Sequence, residues 1–240
     1  MDRPQMTAFL RPVRAGNAFE ETVERLLQAI KLGVVDRGER LPPERELAAQ
    51  LGISRVTLRE AIRALQDAGY LDVRRGRYGG AFVVYRQPDP CQADLRRAVD
   101  EMGAGALEDA LIFRMAVDCG AAQALAAMTL GLETRATLRR RLQDVDEATP
   151  ADYRRLDTAF HLAIAELTGS SLLTAASADA RLRVTDLLNA IPVLGPNIEH
   201  AAAQHAAIVA AIFAGDPEGA RRAVVEHVEG TAALLRGFLA

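Results

Sequence analysis

The sequence predicts a mainly α fold: a small N-terminal unit of three helices closed by a β-hairpin, then an antiparallel all-α bundle of six to seven helices. Apolar residues recur at helical spacing over nearly the whole chain, which is 50% hydrophobic and has no tryptophan. Period-two alternation is confined to residues 70–85, on both sides of a glycine-rich turn. Pro88 and Pro90 forbid a continuous helix between the two parts. These signals divide the chain into an arm at 1–18, a first domain at 19–86, a linker at 87–90 and a second domain at 91–240.

The arm contains Arg3, Arg11 and Arg14 but no helical period. Val23, Leu26, Leu27 and Ile30 then mark an amphipathic helix from Phe19 to Leu32, ended by Gly33. A second helix follows a proline pair, runs from Pro43 to Leu51 and puts Leu47, Ala48 and Leu51 on one face. Gly52 breaks it where the chain must turn sharply. Ser54 is the N-cap of a third helix, Arg55 to Asp67, which is expected to bury Val56, Leu58, Ala61, Ile62 and Leu65. Arg55, Thr57, Arg59 and Arg63 point elsewhere. Two short helices joined by a glycine turn, the second basic near its start, form a helix-turn-helix, whose second helix suits a DNA major groove.

Tyr70–Arg74 and Ala81–Tyr85 read as strands, with Gly76, Arg77, Tyr78, Gly79 and Gly80 as the turn between them. Such a hairpin is a wing: glycine backbone can approach phosphates, and Arg74, Arg75 and Arg77 can meet them. The plainer alternative is a structural hairpin with solvated arginines. Arginines at a helix start and a loop tip are, however, what base and phosphate contact require.

The net charge of −3 by itself argues against a polyanionic partner, but its distribution reverses the inference. Residues 1–86 carry 15 Lys and Arg against 11 Asp and Glu, a net +4, whereas residues 87–240 carry 14 against 21, a net −7. Cys91 and Cys119 lack metal spacing and read as reduced thiols. With no apolar signal region and no run of about 18 apolar residues, the expectation is a soluble, cytoplasmic, nucleoid-associated protein without a membrane partner.

Beyond residue 90 the periodicity predicts helices at 91–102, 106–129, 132–147, 150–168, 170–189, 197–214 and 216–238, separated by glycines and prolines. A bundle core is a natural place for a pocket built from facing helices. Asp157 and His161, four apart, project together from the edge of the Leu156, Phe160, Ile164 and Leu167 stripe. His205 falls inside the stripe of its helix, and so does His227, whereas His200 lies well round from His205. One carboxylate and three imidazoles therefore point inward from three helices, a ligand set that suits one divalent transition metal per chain. Each could instead be a hydrogen-bonded core residue, but burying all four without a shared partner is costly. Arg114 lies on the inner face of its helix with Leu107, Leu111 and Met115, four residues before Asp118. It can grip a carboxylate bidentately, or serve as an intrahelical partner of Asp118. A metal-dependent, hydrolase-like body is a further alternative, since such a cluster could hold an activated water.

The text L-P-P-E-R-E-L-A, then L-G-I-S-R-V-T-L-R-E-A-I-R-A-L, then G-R-Y-G-G-A-F-V, closely resembles the winged helix-turn-helix of the GntR family of bacterial transcription regulators. That resemblance implies DNA contact by Arg45, Arg55, Arg59 and Gly76 with Ser54 and Thr57 assisting. Arg77 joins them as a wing cation on the hairpin reading, and Tyr78 departs from the glycine or small residue usual in the family. Asp157-x-x-x-His161, His205-x-x-Ile208, Gly215-Asp216 and His227 resemble the FadR-type FCD ligand-binding domain of the same family. In that domain the corresponding positions hold zinc or nickel beneath a small organic acid, whose carboxylate an arginine at the place of Arg114 binds. Ser170 stands where the family frequently has asparagine. The resemblance implies a homodimeric, effector-responsive regulator, a repressor of a palindromic double-stranded DNA operator, sensing a sugar or hydroxy acid, and not an enzyme.

Overall fold

The computed structural model describes residues 18–76, 79–86, 92–103, 105–193 and 195–239. The chain divides into two compact units, Met1–Gln87 and Pro88–Ala240. Arg3, Arg11 and Arg14 of the expected arm, Arg77 and Tyr78 at the hairpin tip, and the linker at 87–90 lie outside the described residues.

In the first unit, α1 (Ala18–Lys31), α2 (Glu44–Leu51) and α3 (Arg55–Asp67) precede β1 (Leu71–Arg74) and β2 (Gly80–Val83). The stripes of the three helices meet in one core around Leu26, Ile30, Leu47, Leu51, Leu58 and Leu65, which Leu71 and Val83 of the hairpin close. Gly52 ends α2 in the left-handed conformation, at φ 66°, where a Cβ would be strained. Two residues later Ser54 Oγ accepts the Thr57 N–H at 3.0 Å, which starts α3. Val56, expected in the core, is 64% exposed. At 100° per residue it faces away from the Leu58, Ala61, Ile62 and Leu65 stripe, so it shares the outer side with the arginines.

The hairpin is antiparallel, with Leu71 opposite Val83 and Arg74 opposite Gly80. Residues 39–41 extend it: Leu41 N–H donates to Ala81 O and Val83 N–H to Glu39 O, each at 2.9 Å. The second strand ends at Val83 rather than Tyr85. There Val84 and Tyr85 turn their N–H groups to the Tyr70 carbonyl, and the Tyr70 and Tyr85 rings stack at 5.0 Å.

The second unit comprises α4 (Gln92–Met102), α5 (Ala106–Ala126), α6 (Leu132–Asp146), α7 (Tyr153–Leu167), α8 (Ser171–Asn189), α9 (Gly195–Ala214) and α10 (Pro217–Leu239). Helix α5 is central, packed against α7, α8, α9 and α10. Its buried alanines 110, 121, 122 and 126 let those neighbours approach closely. One apolar cluster gathers Leu125, Leu138, Phe160, Ile208, Ile212 and Val224. The other gathers Leu111, Val184, Leu187, Ile191 and Leu235, with Val99 and Met102 of α4 against it. Cys119 is a buried free thiol. Among the described residues no helix is long and apolar enough to cross a membrane.

The wing turn allows a test. Gly79 N–H donates to Gly76 O at 2.9 Å, and a Cβ on Gly79 would overlap the Arg74 carbonyl oxygen, which is backbone and cannot swing aside. Gly79→Ala should destabilise the first unit by about 1–3 kcal/mol, read as a lower guanidinium midpoint. Gly131→Ala, at a glycine whose added Cβ meets open space, should stay within about 0.5 kcal/mol of the parent.

Candidate functional site

The helix-turn-helix presents its polar side to solvent. Arg45, Ser54, Arg55, Arg59 and Gly76 are exposed and Thr57 is half-buried. Ser54 Oγ, besides capping α3, lies 2.9 Å from Thr57 Oγ1. Arg59 Nε is 2.7 Å from Glu44 Oε2 in an exposed pair, weak enough for a phosphate or base edge to replace. Gly76 has φ 102°, which keeps the turn backbone bare. Arg74 is already engaged, its guanidinium 4.5 Å over the Phe82 ring and its Nε 2.8 Å from Asp72 Oδ2.

In the body, α7, α9 and α10 bring Asp157, His161, His205 and His227 together, with one ligand atom from each lying within 4.8 Å of the others. Helical spacing puts Asp157 and His161 one turn apart on α7. His161 Nε2 and His227 Nε2 face each other at 3.1 Å, and Asp157 Oδ1 is 3.8 Å from His161 Nε2 and 3.3 Å from His205 Nε2. Phe160 packs edge-on against His161 and tilted against His205, fixing both rings. Gln204 Oε1 lies 3.2 Å from His227 Nδ1, a partner that sets which ring nitrogen faces the cluster. His200 is exposed, away from the group.

The donor set fits a divalent transition metal. Burial first, then the nearby Arg181 guanidinium, pushes His161 well below its ordinary value. Burial and the neighbouring cations do the same to His227. Both imidazoles are therefore neutral, with lone pairs to offer. Burial would raise the Asp157 carboxyl, but the imidazoles of His205 and His161 and the Arg181 guanidinium outweigh it and hold the group well below the usual carboxylate range. Among the described residues neither ring nitrogen of His205 makes a hydrogen bond, the 3.3 Å approach of Asp157 Oδ1 to Nε2 being an ionic contact only. Ligand atoms about 2.1 Å from one ion in a tetrahedral arrangement lie about 3.4 Å apart, so the widest pair, at up to 4.8 Å, has to close by about 1.4 Å at most.

Beside the cluster lies a buried charge network of which the sequence pattern shows only half. Arg114, 1% exposed, donates from Nε to Asp118 Oδ2 at 3.4 Å, and its Nη1 has no partner among the described residues. Arg181 on α8 is the member that the sequence pattern does not reveal. Its Nη2 donates to Asp118 Oδ2 at 3.0 Å and its Nη1 to Asp157 Oδ2 at 3.5 Å, while Ser177 Oγ donates to Asp118 Oδ1 at 3.5 Å. The available signal is a polar stripe at helical spacing, Thr174, Ser177, Arg181 and Thr185, all buried on an otherwise alanine- and leucine-rich helix. Ser170 does a local job, capping α8 by accepting the Leu173 N–H at 3.2 Å.

Comparison with known proteins agrees with this two-part reading. Residues 19–83 match the model of the bacterial regulatory proteins of the gntR family, and residues 109–230 match that of the FCD domain. A Mycobacterium gastri protein named as a candidate HTH-type transcriptional regulator, RmpR, is 34% identical over 86% of this chain and 76% of its own. An Escherichia coli (strain K12) protein, provisionally named as the regulatory protein of the L-lactate dehydrogenase operon, is 31% identical over 91% of this chain and 86% of its own. The Salmonella arizonae transcriptional repressor NanR is 28% identical over 95% and 88%. Among solved structures, E. coli McbR/YncC superposes with a TM-score of 0.55 at 22% identity, covering 93% of this chain and 99% of that one, a likeness of fold. These relatives are transcription regulators, so the hydrolase alternative is set aside.

Asp118→Ala should be severely destabilising, by about 3–5 kcal/mol, because it strands two buried guanidinium groups. Urea unfolding of the variant against the parent measures it, and a loss below about 1 kcal/mol would mean that water already shares the pairing.

Proposed function

Because the chain belongs to the gntR family of bacterial regulatory proteins and carries the FCD domain as its larger part, we propose that it is a homodimeric repressor that senses a small organic acid at a metal-containing pocket. It is a DNA-binding transcriptional regulator with a ligand-binding domain, and not an enzyme. The observation that carries the metal and effector reading is the convergence of Asp157, His161, His205 and His227, with neither His205 nitrogen hydrogen-bonded among the described residues.

In this reading the four residues hold one zinc or nickel ion, which when bound supplies a Lewis-acidic anchor for a carboxylate or hydroxyl oxygen. Arg114 takes the acid's carboxylate through its planar fork. Relatives named for an L-lactate dehydrogenase operon and as a repressor support a hydroxy acid and a repressing role. A bacterial DNA-binding regulator works in the cytoplasm, which is the proposed location.

The two heads of a dimer read inverted half-sites, because a two-fold protein reads a two-fold operator. Arg55 and Arg59 reach base edges, with Ser54 and Thr57 fixing the start of the helix that carries them. Arg45, the bare backbone at Gly76 and the Arg77 cation grip phosphate. The effector binds the DNA-competent and DNA-incompetent arrangements of the dimer with different affinity; otherwise it regulates nothing.

Elemental analysis of protein purified without added metal should find about one zinc or nickel ion per chain, and none in His205→Ala, whose head still binds DNA. Full metal content in that variant contradicts the site. Arg59→Ala should weaken operator binding by roughly 1–3 kcal/mol for each base edge that the guanidinium reads. Fluorescence anisotropy against random-sequence DNA measures it, with the circular dichroism spectrum unchanged. Undiminished operator preference would show that α3 does not read bases through Arg59.

A further inference from the structure

Once a divalent ion occupies the Asp157, His161, His205 and His227 donors, the reading on which this inference rests, the body holds two adjacent centres of surplus positive charge. The first is the ion. Imidazoles bind as neutral ligands, so Asp157 alone opposes its two charges and one remains.

The second centre is the guanidinium pair. Arg114 Nε and Arg181 Nη2 share one acceptor, Asp118 Oδ2, at 3.4 and 3.0 Å. The other carboxylate that pairs with them among the described residues is Asp157, whose Oδ2 is 3.5 Å from Arg181 Nη1 and whose charge the ion already draws. Two buried cations therefore divide one anion. Arg114, Arg181 and Asp118 are 1%, 2% and 5% exposed, so solvent does not screen the excess, and an uncompensated buried charge is strongly unfavourable. Donors are left over as well, since Arg114 Nη1 and Arg181 Nε are buried without a hydrogen-bond partner among the described residues. Arg154 and Asp146, which also face the cluster electrostatically, have opposite signs and are reached by solvent, so they leave the balance unchanged.

We propose that the effector is a short dicarboxylate, with one carboxylate at the metal and the second against Arg114 and Arg181. Each centre then meets one negative charge, and the leftover guanidinium donors gain an acceptor of the kind they already hold in Asp118. A monocarboxylate answers one centre and leaves the other bare. Arg181 joins the centres directly, with Nη2 on Asp118 and Nη1 on the metal-site carboxylate Asp157, so they stand within the reach of a short acid. Arg181 is thus the residue that selects the second charge.

The test is isothermal titration calorimetry on zinc-loaded full-length protein with malate and with 2-hydroxybutanoate. The latter keeps malate's chain length and 2-hydroxyl group but lacks the second carboxylate. Malate should bind at least about tenfold more tightly. That preference should survive in Arg181→Lys and fall to about twofold or less in Arg181→Gln, with zinc content unchanged in both. Equal affinities in the parent protein, or no binding of malate to zinc-loaded protein, overturn the proposal even if the Gln variant does not fold. A folded Arg181→Gln protein with full preference overturns the role of Arg181. Elemental analysis of the same samples separates these results from failure to take up zinc, which overturns the metal reading itself.

Discussion

Four charged side chains in the middle of an alanine-rich bundle, Arg114, Asp118, Arg181 and Asp157, have to satisfy one another because little water reaches them. The body is arranged around that requirement. Arg114 and Asp118 lie one turn apart on α5, Arg181 comes from α8 and Asp157 from α7. Three helices are tied at one level of the bundle, and the histidines of α7, α9 and α10 stand beside the knot. Packing a long α5 among four neighbours needs small side chains, and the buried alanines supply them. The apolar clusters fix the positions of the helices, and the ionic knot fixes their rotation.

What is legible in the sequence is whatever a period can carry. Asp157 and His161 declare themselves by four-residue spacing, and His205 and His227 by falling inside apolar stripes, so their convergence follows from helices that bury one face. The helix-turn-helix is legible for a different reason. Gly52 and Ser54 are residues whose backbone chemistry dictates a turn and a cap at those places. Arg181 escapes because arginine is ordinarily a surface residue, and nothing local distinguishes it from the neighbouring Arg183. Only the buried company of Thr174, Ser177 and Thr185 does so. Val56 misleads the opposite way: its apolar chemistry points inward although its angle on α3 turns it out.

Head and body use polar side chains under opposite constraints. On the head, Arg59 and Glu44 pair in solvent, where the partner costs little to exchange. In the body, Asp118 and its two arginines pair away from solvent, where exchange is possible only for an incoming group that replaces both charge and hydrogen bonds. The first arrangement suits a surface that samples many DNA sequences at modest cost. The second suits a site whose partners do not exchange freely with water.

Helix α8 belongs to two neighbourhoods at once. Its middle carries Ser177 and Arg181 to the ionic knot. Further along the helix Val184 and Leu187 join the apolar cluster on which Val99 and Met102 of α4 rest. An α-helix is stiff, and Arg181 and Val184 are less than one turn apart, so a roll of α8 that follows Arg181 toward a new anion also tilts the bed beneath α4. Helix α4 opens the second unit, directly after the segment that joins it to the DNA-binding unit. Whatever shifts Arg181 is thus felt at the first helix of the second unit, with α8 as the link.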